Sequence, residues 1–383
     1  MSSAVRVMHV MPDLAMGGGQ QLLLRNISGM TPGAIEHHVA SVKTDLELRA
    51  RFEDLGCSVH PLNVRQGSDA PGAIVRLRSL VRSLGIDVIH TNNTGSDRRA
   101  GYLAASGRPV VNSLHAEAPG PTRSFAIRAF DRADGLLSRR AVHSIVAVSN
   151  SALTSWTPWL DAHRVAVGSR VVRHPGLDLT RFPEMNAGTR RSWREAHGLG
   201  LGSVVLVHVA RLVPGKGVNF FLDALAACRA VGLDAAGVIV GDGPDRAMLE
   251  SHAVSLGITD HARFLGPRDD VPTILAACDL MVFPSLSEGF GLAPLEAMAA
   301  GLPVAAFALP SLTEFIEPGR SGELVARADG EALSRAVVSL VRDAGMRRSF
   351  GDRSHAIVRE RFDQRIVSAW WVDLYTSLAG RST

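Results

Sequence analysis

The stretch "DLMVFPSLSEGFGLAPLEAMAAGLPVAAF", residues 279–307, contains a strand, a turn, a helix and a second strand in that order. The runs "DLMVFPS" and "GLPVAAF" are short and continuously apolar, which is typical of strands buried on both faces. The segment between them is rich in alanine and leucine, which favours a helix. Two strands joined through a helix run parallel, so the stretch predicts an α/β domain built on a parallel sheet.

The turn inside this stretch, "SEGFG" at residues 287–291, has the composition of an anion site. Pro294 suits the first turn of a helix, where its missing N–H costs nothing, and Gly289 and Gly291 let the main chain approach a ligand closely. Amides at a helix N-terminus, assisted by the helix dipole, are a common binding site for phosphate. The amides that we expect to face the anion are those of Phe290, Gly291 and Leu292.

Two glutamates flank this turn. Glu296 falls within the first two turns of the helix, where its carboxylate could accept both hydroxyls of a ribose, and Glu288 precedes the turn. Each could instead be structural, Glu296 as an acid matched to the helix dipole and Glu288 as a helix cap. Their joint appearance around a Gly-Phe-Gly turn favours ligand binding.

The same alternation of strands and helices fills the rest of the chain. Runs such as "AVRVMHVM" and "IDVIHTN" are followed by helical spacing, and after about residue 185 the pattern begins again with "SVVLVHVA". This predicts the α/β class, with two doubly wound, Rossmann-like domains facing a cleft at the carboxyl ends of their strands. We expect an N-terminal domain over 1–183, a C-terminal domain over 184–362 and a final helix over 363–383.

Composition excludes several other kinds of protein. A chain of 383 residues exceeds the usual size of one core, and a net charge of +4 is small for this length and indicates no nucleic-acid partner. No apolar run approaches the ~20 residues of a membrane span, and the N-terminus lacks the pattern of a signal peptide, so we expect a cytoplasmic protein. The cysteines Cys57, Cys228 and Cys278 have no paired spacing and are expected to be buried and inert.

A second charged cluster is "VARLVPGKG", residues 209–217. Arg211 follows a predicted strand, and Lys216 lies in a glycine-bearing loop before a predicted helix. Two cations on a short connection can converge on a diphosphate, the arginine as a planar fork and the lysine as a point charge. Both could instead be solvated loop charges, but Lys43 and Lys216 are the only lysines in the sequence, and this scarcity favours a function for Lys216.

A glycine-rich turn, "MGGGQQ" at residues 16–21, follows the first predicted strand. A dinucleotide fingerprint would need a third glycine where Leu22 stands and an acid after the next strand, so a dehydrogenase is disfavoured. The loop would still let the main chain at Gly18 come close to a donor or an acceptor.

Taken together, these segments resemble the retaining, nucleotide-sugar-dependent glycosyltransferases with the two-domain GT-B fold, the glycosyl transferases group 1. The resemblance runs nearly end to end and includes "NSLHAEA", "IVAVSNSAL", "HPGLDLTRF", "VGDGPDRAMLE" and the closing "FDQRIVSAWWVDLY". Its most specific part is residues 264–304, where a glutamate, seven intervening residues and a second glutamate surround the turn.

The resemblance implies a role for each candidate residue. Arg211 and Lys216 would neutralise the donor diphosphate, and the amides of residues 290–292 would hold its distal phosphate. Glu296 would bind the ribose, and Leu265 would lie near the base. The two residues nearest the chemistry would be Glu288, which contacts the transferred sugar, and His115, which follows a strand in the N-terminal half.

The family's chemistry implies transfer of a hexose from a UDP- or GDP-linked sugar to an acceptor hydroxyl, with retention of anomeric configuration. Breaking the bond to the diphosphate releases an anion, so stabilising the leaving group is the main electrostatic task. Cationic side chains and a helix N-terminus could do this without a metal or other cofactor. An epimerase or hydrolase of the same fold and a non-catalytic nucleotide-sugar-binding module remain as alternatives.

The acceptor is least defined by the sequence, and a glycan, a glycolipid or a small molecule would each serve. Residues 123–140, "RSFAIRAFDRADGLLSRR", combine apolar and arginine residues in the pattern of a helix that could contact an anionic membrane and a lipid-linked acceptor. An arginine-rich solvated face on a core helix is the interpretation that we favour. In the closing segment, Ile366, Trp370, Trp371 and Leu374 recur at helical spacing, which indicates packing, and the family's final helix packs on the N-terminal domain.

Overall fold

The structure is a computed structural model that describes residues 4–65, 69–92, 96–116, 118, 125–166, 169–183 and 186–380; the side chains of 96, 97 and 125–131 lie outside this description. The chain forms two compact units, Met1–Leu177 together with Gln364–Thr383, and Asp178–Asp363. We refer to them as the first and the second unit. The domain limits expected from the sequence stay predictions.

The first unit alternates strands and helices along the chain. In order, its elements are β1 (Val5–Met11), α1 (Gly18–Ser28), β2 (Ile35–Ser41), α2 (Arg49–Asp54), β3 (Ser58–Pro61), α3 (Ala70–Ser83), β4 (Val88–Thr91), α4 (Ser96–Ala104), β5 (Val110–Leu114), α5 (Phe125–Ala141), β6 (Val142–Ala147), α6 (Asn150–Ala162), β7 (Arg170–Val172) and, from the end of the chain, α14 (Gln364–Leu378). The strands pair in parallel in the order β3-β2-β1-β4-β5-β6-β7.

The second unit repeats this plan. Its elements are α7 (Ala187–Ala196), β8 (Val204–Val209), α8 (Val218–Ala230), β9 (Ala235–Val240), α9 (Arg246–Ser255), β10 (Ala262–Gly266), α10 (Val271–Ala277), β11 (Leu280–Phe283), α11 (Leu292–Ala299), β12 (Val304–Phe307), β13 (Gly322–Val325), α12 (Gly330–Arg342) and α13 (Ala344–Arg361). Its parallel sheet has the order β10-β9-β8-β11-β12-β13.

Both sheets are doubly wound, which confirms the fold class predicted from the sequence. Strand order reverses direction between β1 and β4 in the first unit and between β8 and β11 in the second. A ligand of such a sheet binds outside the carboxyl ends of the strands at this reversal, where the two connecting loops separate. Strands β3 and β7 are too short and too polar for the sequence pattern to reveal them.

Helix α14 packs on the first unit, as expected, but the face that it buries differs from the one predicted from the sequence. Trp371 and Tyr375 are buried against β1 and β4, and Trp370 and Leu374 are partly buried beside them. The prediction that Ile366 packs inward is wrong, because its side chain is 52% exposed. The buried apolar residues of α14 begin one position later, at Val367, and the helical spacing of apolar residues could not distinguish these two registers.

The described residues include no helix that is both long enough and apolar enough to cross a bilayer. All 3 cysteines are buried and unpaired, in agreement with the sequence. Burial raises the pKa of the Cys57 and Cys228 thiols to about 12, so both stay protonated and unreactive near neutral pH.

Candidate active site

The predicted site residues lie at the carboxyl edges of the two sheets. In the second unit, Arg211 and Lys216 follow β8, and Glu288 follows β11, the two strands that flank the reversal of strand order. Leu265 lies near the carboxyl end of β10, and its side chain is half-buried. Parallel strands end at one edge, so the topology brings residues distant in sequence to the same edge of the sheet.

Lys216 and Glu288 are in direct contact. The ammonium Nζ of Lys216 donates to Oε1 of Glu288 over 2.6 Å, across 72 residues of sequence. The Glu288 side chain is 13% exposed and the Lys216 side chain 28%, so the pair is partly shielded from water. The sequence predicted that both residues bind the donor, but it did not predict that they pair with each other.

The two loops that carry this pair are fastened together by their main chains. The amide of Leu286 donates to the carbonyl of Gly215 over 2.9 Å. Gly217 has a φ of 64°, and a Cβ there would lie 2.1 Å from the carbonyl oxygen of Pro284, so only glycine permits this approach. The Ser311 hydroxyl donates to the carbonyl of Glu288 over 3.1 Å. The main-chain positions of Lys216 and Glu288 are therefore set independently of their side chains.

The turn before α11 has the form expected of an anion site. Gly291 has a φ of 97° and is the N-cap residue directly before α11, and a Cβ there would lie 2.5 Å from Leu312. The Phe290 ring is buried, with its centroid 4.9 Å from that of Phe315. The amides of Gly291 and Leu292 belong to the first turn of α11, where no intrahelical acceptor exists. The aromatic anchor thus holds a turn whose amides can bind an anion.

Two further candidates, Arg211 and Glu296, lie at the same edge. Arg211 has an exposed side chain and forms no ion pair with any part of the chain that the structure describes. Glu296 lies in α11, one turn after its start, and is partly buried. The structure therefore joins Lys216 with Glu288, and leaves Arg211 facing solvent.

His208, in β8 directly below this edge, was not identified from the sequence. Its ring is buried, and Nδ1 lies 3.0 Å from the carbonyl oxygen of Val282, to which it can donate. Nε2 is buried and has no partner among the described residues. Burial lowers the pKa of His208 to about 4, which keeps the ring neutral close to the Lys216 ammonium. The sequence signal for His208 is that it is a polar residue in an otherwise apolar strand.

In the first unit, His115 lies directly after β5, at the carboxyl edge. The residue is partly exposed, but both of its ring nitrogens are buried and lack a partner among the described residues. Burial lowers its pKa to about 4. The ring lines a cavity of about 10 Å³, room for a single water molecule, together with Ser113, Asn92 and Arg173.

The segment that follows His115 is fastened to helix α6 by two side chains. The indole N–H of Trp156 donates to the carbonyl of Ala116 over 3.0 Å, and the amide of Ala118 donates to the hydroxyl of Ser155 over 3.0 Å. Trp156 is itself packed beneath the guanidinium of Arg98, which lies 5.8 Å from its ring. Gly18, the other predicted residue of the first unit, is exposed at the start of α1, and a Cβ there would meet no atom within 4 Å.

The described ranges of the chain contain no group of three or more His, Cys, Asp or Glu side chains that could hold a metal ion. The expectation that the chemistry needs no metal stays a prediction. Residues 123, 124 and the side chains of 125–131, which carry part of the predicted membrane contact, lie outside the described residues.

Comparison with known proteins identifies two matching domain families. Residues 17–167 match the Glycosyl transferase 4-like domain, and residues 189–356 match the domain Glycosyl transferases group 1. The two matches correspond to the two sheets described above, and the second includes every residue predicted to bind the donor except Gly18.

Among curated proteins, the chain is 31% identical over 293 residues to D-inositol 3-phosphate glycosyltransferase of Salinispora arenicola. The alignment covers 70% of this chain and 64% of that protein. The chain is also 31% identical over 186 residues to N-acetyl-alpha-D-glucosaminyl L-malate synthase of Bacillus anthracis, over 48% of this chain and 49% of that protein. The aligned part of the chain thus spans about half to two thirds of these relatives.

Among solved structures, Anabaena HepE in complex with UDP-glucose superposes with a TM-score of 0.82 at 22% identity, over 97% of this chain and 99% of that one. This likeness shows the fold, which is the GT-B fold. With both domain families matched in order along the chain and the expected turn at the carboxyl edge of the second sheet, the chain belongs to the glycosyl transferases group 1 family.

Proposed function

We propose that this chain transfers a sugar from a nucleotide-diphosphate donor to an acceptor hydroxyl, with retention of anomeric configuration and without a metal ion. The observation that carries the proposal is the placement of Lys216 and Glu288 against each other at the reversal of strand order in the second unit. A cation for the leaving group and an acid for the sugar are the two charges that this transfer needs.

The donor would be held by its diphosphate. Lys216, Arg211 and the first-turn amides of α11 supply positive charge without help from a metal, and each interaction strengthens as the leaving group gains negative charge. Glu296 would accept the ribose hydroxyls, and Leu265 would lie beside the base. HepE, which shares the fold, binds UDP-glucose, and this supports a nucleotide sugar linked to UDP or GDP as the donor.

In the reaction, the bond between the anomeric carbon and the diphosphate oxygen breaks, and the acceptor oxygen forms a bond to the same carbon. The acceptor proton passes to the departing phosphate, which leaves on the face from which the acceptor enters, so configuration is retained. Glu288 would stabilise the positive charge that develops on the sugar ring. His115, held neutral by burial, would offer a hydrogen bond to a sugar hydroxyl rather than a charge.

The names of the relatives suggest which acceptors to test. Two relatives are named for inositol 3-phosphate and malate, small polar molecules with hydroxyl groups. We would therefore test these two compounds first, beside a lipid-linked acceptor.

The test is a panel of UDP- and GDP-linked sugars, read as thermal stabilisation and as release of nucleoside diphosphate with and without an acceptor. Stabilisation by one nucleotide series, and diphosphate release that requires an acceptor, are the expected results. Release at the same rate in water alone would indicate a hydrolase, and stabilisation without any release would indicate a binding module.

A further inference from the structure

We infer that the ion pair between Lys216 and Glu288 is exchanged when a nucleotide binds. The diphosphate takes the place of the Glu288 carboxylate at the Lys216 ammonium, and the carboxylate is released toward the donor sugar. This inference rests on the proposed function, because it assumes that the second unit binds a diphosphate.

The first reason is electrostatic. Nζ of Lys216 lies 2.6 Å from Oε1 of Glu288, and the pair is partly shielded from water. A diphosphate that approached the intact pair would meet a carboxylate at contact distance from the cation that must bind it, and like charges repel strongly where water is scarce. Withdrawal of the carboxylate removes this repulsion and lets Lys216 neutralise the diphosphate fully.

The second reason is that this exchange needs no movement of the main chain. The loops of the two residues are already joined through Leu286 and Gly215, and the Glu288 carbonyl is held by Ser311. Only the side-chain torsions of Lys216 and Glu288 have to change. The energetic cost is that of breaking one partly exposed ion pair, which is small compared with that of reordering a loop.

The exchange would link two events in the site. While the site is empty, Glu288 neutralises Lys216 and keeps an isolated cation from binding stray anions. Once the diphosphate engages Lys216, the carboxylate becomes free to contact the sugar attached to that diphosphate. The nucleoside diphosphate alone should trigger the exchange, because the diphosphate and not the sugar competes for the ammonium.

The chain offers an unusually direct test, since Lys43 and Lys216 are its only lysines. Incorporation of lysine labelled with 15N at Nζ gives two side-chain signals in the full-length protein, and the Lys43→Arg variant assigns them. Lys43 is a suitable internal reference, because it is 58% exposed and its nearest carboxylate, on Asp13, is 3.7 Å away. Spectra are recorded for the wild type and for Glu288→Gln, each without ligand and with saturating UDP or GDP.

We expect the Lys216 signals of the wild type and Glu288→Gln to differ without ligand and to coincide with nucleotide bound, because the diphosphate is then the partner in both. Signals that still differ by the same amount in the complexes would overturn the inference, since Lys216 would have kept its carboxylate. Failure of both nucleotides to bind the wild type would instead overturn the proposed function.

Affinity gives a second measurement, by calorimetry with the same nucleotide. Glu288→Gln should bind it about 2- to 5-fold more tightly than the wild type, the range expected when a partly exposed ion pair no longer has to be broken. The matched control is Glu250→Gln, which removes the same charge from an acid on α9 that pairs with Arg246 and not with Lys216. Unchanged or weaker binding by Glu288→Gln, or equal tightening by both variants, would contradict the exchange.

Discussion

The hydroxyl of Tyr375 in α14 lies 2.7 Å from Nδ1 of His90 in β4, although 285 residues separate them in the sequence. Nε2 of the same imidazole lies 2.7 Å from the hydroxyl of Ser113, and the ring of Trp371 stacks on it at 4.9 Å. The final helix is thus fastened to the interior of the first unit through a buried histidine. A neutral imidazole can satisfy both hydroxyls, donating at one nitrogen and accepting at the other, and burial of the ring disfavours its charged form.

Further histidines extend this buried network across the sheet. His9 in β1 has its ring centroid 5.3 Å from that of His90, and its Nε2 lies 3.1 Å from Nδ1 of His37 in β2. Burial is the main cause that lowers the pKa of His90 to about 3 and that of His37 to about 4, and it lowers the pKa of His9 well below its usual value. The neighbouring imidazoles, including His38, lower these pKa values further because protonating one ring disfavours the next.

We predict from this network that mild acid destabilises the protein. An unfolded histidine takes up a proton near pH 6.5, whereas His90 and His37 in the folded state do so only near 3 and 4. Between those values the unfolded chain binds more protons, so stability is full above about pH 6.5 and falls as the pH decreases, by about 1.4 kcal/mol per pH unit for each such ring. Urea unfolding at a series of pH values from 7.5 to 5.0 measures the slope.

The variant His90→Gln provides the control for this titration. This substitution should lower the free energy of unfolding at pH 7.5. It should also make that free energy depend less steeply on pH, by the contribution of about one proton, because one titrating ring has been removed. A slope identical to that of the wild type would show that His90 does not contribute to the acid sensitivity.

We next predict that Trp156 positions the segment carrying His115. Trp156→Phe keeps an aromatic ring beneath Arg98 but removes the N–H that donates to the carbonyl of Ala116. If His115 acts in transfer, kcat should fall about 10-fold, the effect of one lost hydrogen bond, while UDP affinity stays unchanged because the candidate diphosphate ligands lie in the second unit.

Trp159→Phe is the matched substitution, since the Trp159 ring also lies against Arg98, at 5.3 Å, whereas Trp156 is the residue whose indole N–H donates to Ala116. Its kcat should stay near that of the wild type. Equal losses in the two variants, or a loss of UDP affinity in Trp156→Phe, would argue that Trp156 serves packing alone.

Much of the fold could be predicted from the sequence because its strands are continuous apolar runs, whereas the contacts inside the site could not. The pattern around Glu288 and Glu296 indicated a ligand turn, and the scarcity of lysine indicated Lys216. That Lys216 pairs with Glu288 depends on the adjacency of β8 and β11, strands separated by two others in sequence. The histidine network was missed for a related reason, because each ring occupies a single position in an apolar strand and only sheet pairing brings them together.

The proposed donor site predicts the behaviour of Lys216→Ala. Removing the ammonium should weaken UDP or GDP binding about 10- to 100-fold, the loss expected for a charged hydrogen bond to phosphate. Lys43→Ala removes the same charge from an exposed position in the first unit and should leave affinity unchanged. Calorimetric titration of both variants would decide, and similar affinities for the two would remove Lys216 from the site.

A chelator should leave turnover unchanged, because the charge on the leaving group is to be met by Lys216, Arg211 and the start of α11 rather than by a divalent ion. The assay compares initial rates of nucleoside diphosphate release before and after treatment with EDTA, and after magnesium or manganese is restored. Loss of activity that either metal recovers would contradict the metal-independent mechanism.

The exposed face of α5 leads to a prediction about membranes. Arg132, Arg139 and Arg140 are exposed, as is Leu136 at 61%, while Asp134 on the same helix is buried and pairs with Arg98. Within residues 132–140, the part of this stretch whose side chains the structure describes, one exposed leucine among three arginines is the composition of a solvated face rather than of an apolar membrane-binding one. The protein should therefore not sediment with anionic vesicles at 0.15 M salt, and reducing the salt should not make it bind. Sedimentation that is strong at low salt, weakens as salt is added and is abolished by a combined Arg139→Glu and Arg140→Glu substitution would establish membrane contact through α5 instead.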